Sequence, residues 1–118
     1  MNQVQCIGRL AREVELTAIN GETKVLNNAI AIPNRFKGKE READFIPIVA
    51  WQQTAELMHT YLKKGDEVGI VGRLQSRTYE DKQQVTHHVI EIIVHDVTFL
   101  RKKQGPAPSE EIPVTVLG

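Results

Sequence analysis

The sequence predicts an all-β domain that contains a single helix. Two observations lead to this prediction. Short apolar runs rich in Val and Ile recur between polar turns, and one segment alone repeats its apolar residues at intervals of three and four. The 118 residues suffice for one domain with a hydrophobic core and are too few for two domains of ordinary size.

Three strands are predicted before the helix. They span residues 1–9, residues 24–32 and residues 44–51. The turn signal Asn20-Gly21 precedes the second strand. Pro47 lies inside the third strand, and because proline has no N–H to donate to a ladder, this position requires a bulge or an unpaired strand edge.

The helix is predicted over residues 54–64. Its apolar residues share one face: Ala55, Met58 and Leu62. The hydroxyl of Thr54 is expected to cap the first turn by accepting an otherwise unpaired backbone N–H. Gly65 follows the last turn, where a left-handed residue commonly ends a helix.

Two further strands are predicted over residues 67–77 and residues 85–100. Gly69 and Gly72 lie inside the first of these, where glycine permits the sharp bends of a small barrel. The order of three strands, one helix and two strands, in about 100 residues, predicts an OB-fold, which is a five-stranded Greek-key barrel. We therefore expect this domain over residues 1–100, followed by a flexible linker and tail over residues 101–118.

The last predicted strand is apolar on both faces. Ile90, Ile92 and Val94 alternate on one face, and the other face carries Val89, Ile93 and Val97. Such a strand is either enclosed or buried against a partner, and one small barrel has too little interior to bury both faces. We therefore expect a homo-oligomer.

Composition excludes several classes of protein. No stretch approaches the roughly 20 apolar residues of a membrane-spanning helix, and the first residues lack the pattern of a secretory signal. The single cysteine, Cys6, excludes an internal disulfide and a cysteine-based zinc cage. We expect a cytoplasmic protein in a reducing compartment, with no metal or other cofactor.

The charge pattern restricts how a polyanion could bind. The 15 basic and 15 acidic residues give a net charge of zero, whereas bulk attraction to nucleic acid requires a basic excess. Binding would therefore need basic residues concentrated locally. One such concentration exists, since Arg35, Lys37, Lys39 and Arg41 lie within seven residues that include a single acid.

The placement of the aromatic residues indicates a function. Side chains an even number of residues apart share a face of a strand, so Phe45 and Trp51 share one face of the third strand. The opposite face carries the apolar stripe Ile46, Ile48 and Ala50, which is expected to enter the core.

A second group of residues combines charge with rings. One face of the fourth strand carries Arg73, Gln75, Arg77 and Tyr79. Exposed rings beside Arg and Lys form a stacking platform for unpaired bases, because every base has a π-face. We predict base stacking on Phe36, Phe45, Trp51 and Tyr79. We predict phosphate neutralisation by Arg35, Lys37, Arg73 and Arg77.

Three segments closely resemble the bacterial single-stranded-DNA-binding proteins (SSB). They are residues 2–16 (NQVQCIGRLAREVEL), residues 41–51 (READFIPIVAW) and residues 61–79 (YLKKGDEVGIVGRLQSRTY). The likeness covers nearly all of residues 1–100, and the motifs GRL, EADF, LKKG and GRLQSR are specific in combination. The resemblance implies an OB-fold subunit, usually of a homotetramer, that binds single-stranded DNA without sequence preference. It implies roles in replication, recombination or repair, and the same four stacking positions.

Two departures from that family pattern affect what the resemblance implies. Several relatives carry Trp where this chain has Phe36, Phe45 and Tyr79, which makes each stack weaker here. Long members end in an acidic tip that closes on Phe and docks onto replication and repair enzymes. Here residues 114–118 (VTVLG) follow a similar acidic segment, so recruitment of such partners through the tail is not implied. A short accessory, phage or mobile-element form fits this ending.

Two alternative functions stay open at this point. One is an RNA-binding OB-fold domain, which would need contacts to the 2′-hydroxyl, and the other is a protein-interaction adaptor that uses the barrel as a scaffold. An enzyme is not expected, because the sequence shows neither a phosphate-loop spacing nor a nucleophile–base signature. A metal site is not expected either, because the adjacent His87 and His88 point to opposite faces of a strand.

Overall fold

The computed structural model describes residues 1–34 and 43–102, and within them six strands and one helix follow one another. The strands are β1 (Val4–Leu10), β2 (Thr17–Ile19), β3 (Thr23–Pro33), β4 (Ala43–Trp51), β5 (Glu67–Glu80) and β6 (Thr86–Arg101). The helix, α1 (Gln52–Tyr61), connects β4 to β5. From position 103 onward the predicted tail lies outside the described residues. No helix in the two described ranges is long and apolar enough to cross a membrane.

Five of the strands close into a barrel. They neighbour one another in the order β1, β5, β6, β4 and β3, and a short ladder at Arg9 and Leu10 joins β1 back to β3. All of these pairs are antiparallel except β4 and β6, which run parallel and pair over only two residues each. The predicted OB-fold is thereby confirmed, with α1 between the third and fourth barrel strands.

The barrel interior is filled by side chains from all five barrel strands and from one face of α1. The predicted stripe on the third barrel strand is confirmed, since Ile48 and Ala50 are buried and Ile46 packs against the core. The helix contributes Ala55 and Met58, both fully buried. Filling the interior in this way leaves the alternate residues of each strand on the outside.

In the hairpin formed by β2 and β3, the turn and β3 were predicted from the sequence and β2 was not. The three residues of β2 are all exposed, so they carry no buried alternation that would mark a strand. The turn that follows is the predicted one, since Asn20 and Gly21 have φ values of 55° and 77°. Asn and Gly are the residues that adopt such left-handed backbone most readily.

The start of α1 differs from the prediction. The helix begins two residues earlier than expected, with Trp51 as its N-cap and no side-chain cap hydrogen bond, so the capping role of Thr54 was wrong. Gln52 adopts a left-handed φ of 50°, and its Oε1 accepts the backbone N–H of Lys24 at 3.0 Å. This contact ties the β4–α1 junction to β3. The helix also ends three residues earlier than predicted, at Tyr61 with an extended C-cap at Leu62, so Gly65 does not end it, although its φ of 93° is left-handed as expected.

A bulge changes the face of β6 midway along its length. The pairing of β5 with β6 shifts beside Gly72, which leaves His95 without a cross-strand partner in β5. Because one extra residue reverses the alternation, Val94 and Val97 both pack in the core. The expectation that Val97 lies on the same face as Ile93 was therefore wrong.

Pro47 fits β4 because one side of the strand is unpaired at that point. It pairs with Ala29 of β3, whereas the ladder with β6 begins only at Ile48. The requirement for an unpaired edge at this proline is therefore met.

Gly72 lies where the backbone of β6 approaches β5 closely beside the bulge. A methyl group on Gly72 would overlap the carbonyl oxygen of Ile93. A methyl group on Gly69 would meet its nearest atoms at 3.8 Å, which is ordinary van der Waals contact. Of these two glycines, only Gly72 is required by close approach.

Replacing Gly72 by alanine should destabilise the fold. We expect Gly72→Ala to lower the free energy of unfolding by about 3 kcal/mol, because the β6 backbone must move to accept the methyl group. The matched control is Gly69→Ala in the same strand, which should change it by less than about 1 kcal/mol. Urea denaturation at equal protein concentration measures both, and equal midpoints for the two variants would contradict the argument.

Candidate nucleic-acid interface

Strands β3, β4, β6 and β5 lie side by side and share one outer face. Val49 of β4 lies beside Ile93 of β6, and Ile93 lies opposite Arg73 of β5. Because alternate residues share a face, this register brings the odd-numbered residues of β4 and of outer β5 together. We call this surface the outer face; its β4 and β5 residues are Phe45, Pro47, Val49, Trp51, Arg73, Gln75, Arg77 and Tyr79.

Two aromatic rings are exposed on the β4 part of the outer face. Phe45 is 64% exposed and Trp51 is 42% exposed. Their predicted orientation away from the core is thereby confirmed. They lie six residues apart, which is about 20 Å along a strand at 3.3 Å per residue.

A small apolar cluster lies between the exposed groups. Val25, Val49 and Ile93 come from three adjacent strands and are each at most 8% exposed. The cluster packs on the outer side of the sheet, separate from the main core. The outer face therefore has a closely packed apolar centre with larger side chains around it.

Arg73 and Arg77 differ in their surroundings although both are exposed. Arg73 forms no ion pair with any residue in the described ranges. Arg77 donates from Nε to Oε2 of Glu91 at 2.9 Å, and Gln75 donates to the same oxygen at 3.2 Å. The Glu91 side chain is only 4% exposed, so this buried carboxylate needs its partners. Arg77 thus has a structural contact, whereas Arg73 is available to an anion.

The outer half of the β5–β6 hairpin carries a chain of ring and charge contacts. The guanidinium carbon of Arg77 lies 5.7 Å from the ring centroid of Tyr79. The Tyr79 ring stacks on the imidazole of His87, with centroids 5.1 Å apart and planes at 20°. His87 in turn donates from Nε2 to Oδ2 of Asp81 at 2.8 Å, since an ionised carboxylate only accepts hydrogen bonds.

These contacts change the pKa of the Asp81 carboxyl group. The hydrogen bond from His87, followed by those from the backbone N–H groups of Val85 and Gln83, lowers the pKa of Asp81 below its ordinary value. Asp81 therefore remains a carboxylate at neutral and mildly acidic pH.

An open groove of about 560 Å³ runs between β4 and the outer half of the hairpin. It is lined by Pro47 on one side and by Arg77, Tyr79 and Val89 on the other. Asn27 of β3 also lines it. The groove exists because β4 and β6 pair over only two residues and then separate. An extended chain with planar groups fits such an open groove beside exposed rings.

The structure groups five of the eight predicted site residues on one face: Phe45, Trp51, Arg73, Arg77 and Tyr79. Arg35, Phe36 and Lys37 lie outside the described residues. In residues 1–34 and 43–102, no group of three or more His, Cys, Asp or Glu residues could hold a metal ion.

The sequence did not single out Glu91, Asp81 or His87 as members of this surface. The sequence does contain one indication of the role of Glu91, because a lone acid inside an apolar strand must be paired. The pairing of His87 with Tyr79 depends on the length of the intervening turn, which alternation does not reveal.

Comparison with known proteins identifies relatives of this chain. The chain matches the family model described as "Single-strand binding protein family" over residues 1–100. A protein described as "Single-stranded DNA-binding protein 3" from Clostridium acetobutylicum is 42% identical over 102 residues, covering 85% of this chain and 71% of that protein. A "Single-stranded DNA-binding protein" from Clostridium tetani is 42% identical over 102 residues, covering 85% of this chain and 70% of that protein.

A third similar protein covers nearly the whole chain. It is the "Single-stranded DNA-binding protein" of Caldanaerobacter subterraneus subsp. tengcongensis, 36% identical over 117 residues, or 94% of this chain and 78% of that protein. The family match spans the complete barrel, and several relatives exceed 30% identity over most of both chains. This chain belongs to the single-strand binding protein family.

Proposed function

We propose that this chain binds single-stranded DNA without sequence preference, by stacking bases on exposed rings and pairing phosphates with basic side chains. The outer face is the observation on which the proposal rests, because it exposes Phe45 and Trp51 on one strand and Tyr79 on another. Similar proteins carry names that describe single-stranded DNA binding, which supports the same function here.

Stacking contributes most of the proposed affinity. A base stacked on an aromatic ring contributes roughly 1–3 kcal/mol in proteins that bind single strands, and every base can make this contact. The net charge of zero leaves little long-range attraction, so the contact terms carry more weight than in a strongly basic protein.

Phosphate contacts add a salt-sensitive contribution to the proposed affinity. Arg73 is the best-placed described residue, because it is exposed and has no acidic partner in the described ranges. Arg77 would share its charge between Glu91 and a phosphate. We also propose phosphate pairing by Arg35 and Lys37 and base stacking by Phe36, which follow β3 in the sequence.

The biological role follows from mass action. A protein that binds only the open strand shifts the equilibrium away from hairpins and duplex, and it covers the strand while bound. Such trapping requires no catalysis, so we propose a non-enzymatic role in replication, recombination or repair. The cytoplasmic location stays a prediction.

We also propose that the chain assembles as a homotetramer. Each chain exposes two separate apolar patches, one at Ile7 (56% exposed) and Leu100 (45% exposed), and one at Ile90 (62% exposed) and Leu74 (45% exposed). In the first patch both side chains lie beside Gly69, and in the second they are diagonal neighbours across β5 and β6. Two distinct self-complementary contacts are what a tetramer of two-fold symmetry requires.

Binding should depend on the rings of the outer face. Trp51 is the only tryptophan in the chain, so its fluorescence reports on this surface, and we expect poly(dT) to quench it. We expect Phe45→Ala and Trp51→Ala each to weaken binding of a labelled (dT) oligomer by about tenfold, as the loss of one stack implies. Fluorescence anisotropy measures the affinities.

A matched control for these variants is Tyr61→Ala. Tyr61 is a ring 55% exposed at the opposite end of α1 from Trp51, and Tyr61→Ala should leave the affinity within about twofold. Unchanged Trp51 emission at saturating poly(dT), or an equal loss from Tyr61→Ala, would contradict the proposed site. A clear preference for a matched (U) oligomer would instead favour the RNA-binding alternative.

The two apolar patches should hold the tetramer together. Wild-type protein should have four times the 13.3 kDa mass of one chain in light scattering, with or without (dT). We expect Ile7→Lys and Ile90→Lys each to reduce that mass by about half, because each buries a charge in one of the two contacts. Leu57→Lys, on exposed α1, is the control and should keep the wild-type mass. A monomeric wild-type chain would refute the assembly.

A further inference from the structure

The outer half of the β5–β6 hairpin holds an imidazole that the proposed function does not use. His87 lies directly opposite Tyr79 in the ladder, and the two rings stack at 5.1 Å. Tyr79 borders the groove between β4 and the hairpin. The imidazole is therefore in contact with a ring proposed to receive a base.

Asp81 fixes the position of His87. Its Oδ2 accepts the imidazole N–H at 2.8 Å, while its Oδ1 accepts the backbone N–H groups of Gln83 at 2.8 Å and Val85 at 3.0 Å. The backbone N–H of Asp81 also donates to the carbonyl of Val85 at 3.0 Å. Because one carboxylate holds both the turn and the imidazole, the His87 ring is anchored to the ordered turn.

The stack in turn restrains Tyr79. An exposed tyrosine on a strand rotates between several orientations unless a neighbour holds it, and ordering such a side chain on binding opposes affinity. Here the imidazole covers part of the ring, while 45% of Tyr79 remains exposed. The ring is thus held in one orientation before a base arrives.

The charged groups at this tip are largely paired with one another. The ionisable groups facing His87 are Asp81 in the turn, Tyr79 and Arg77 on β5, and Glu91 on β6 beyond Val89. Arg77 is already paired with Glu91, which leaves the Asp81 carboxylate as the negative group beside the proposed DNA path. The hydrogen bond that His87 donates partly offsets that negative charge.

We propose that His87 is a positioning residue of the DNA site, which holds Tyr79 in stacking orientation through its anchor on Asp81. This inference rests on the proposed function. Its chemistry is the stacking of an unpaired base on a ring that a second ring already supports.

Three variants separate the ring from its bond to Asp81. His87→Ala removes both and should weaken binding of a labelled (dT) oligomer by about fivefold. His87→Phe keeps a ring against Tyr79 but cannot bond to Asp81, so its loss should be smaller, about twofold. The control, His88→Phe, changes the neighbouring imidazole, which is exposed and lies on the opposite face of β6.

Dependence on Tyr79 is the decisive measurement. In a Tyr79→Ala background, His87→Ala should cause no further loss of affinity, because His87 acts only through that ring. His88→Phe should keep the wild-type affinity. Circular dichroism and thermal midpoints establish that each variant is folded.

The outcomes distinguish this inference from the proposed function. If the wild-type chain binds no (dT), the proposed function fails. If it binds, but a folded His87→Ala binds as tightly as wild type, or weakens binding equally when Tyr79 is already alanine, only the role of His87 is refuted. If His87→Ala does not fold, the same comparison made with His87→Phe decides.

Discussion

The arrangement of the outer face depends on the alternation of side chains across β4. Ile48 and Ala50 enter the barrel, where they belong to the same core cluster as Leu26 and Ile92. The residues between and beyond them are then forced outward, and two of these are large rings. A shift of one residue in the β3–β4 register would bury Phe45 and Trp51 and expose the aliphatic stripe. Core packing thus fixes the orientation of the outer surface.

The same surface shows how a neutral chain can face a polyanion. Arg77 is paired with buried Glu91, and Asp81 is paired with His87, so the hairpin carries its charges in short contacts. Arg73 stands apart from these pairs. The outer face therefore presents little uncompensated charge and a large area of exposed ring, which suits contacts that act only at close range.

Patterns of short range could be predicted from the sequence. The alternation in β4, the stripe in α1 and the Asn20-Gly21 turn each involve neighbours within a few residues, and these predictions agree with the structure. The start of α1 could not be predicted from the sequence, because Gln52 adopts a left-handed φ while its side chain is bonded to Lys24, which is distant in the sequence. The face of Val97 was misassigned because a bulge leaves no mark in local alternation.

The residues of the outer face also differ in whether the sequence could predict their position and contacts. Phe45 and Trp51 were found by counting residues along one strand, which needs no knowledge of pairing. The contacts of Tyr79 with His87, and of Arg77 with Glu91, span the β5–β6 ladder and depend on its register. The family resemblance added the assignment of the fold to a known group, and the match over residues 1–100 bears this out.

The brief parallel seam between β4 and β6 has a mechanical consequence. Only two residue pairs join these strands, so among the described residues the outer ribbon of the hairpin, beyond Leu74 and Ile92, pairs with no third strand. Asn2 bonds to Leu74 at the root of this ribbon, and the ladder farther out is internal to β5 and β6. A bend at the root would therefore break no ladder there, and it would change the width of the groove between Pro47 and Tyr79.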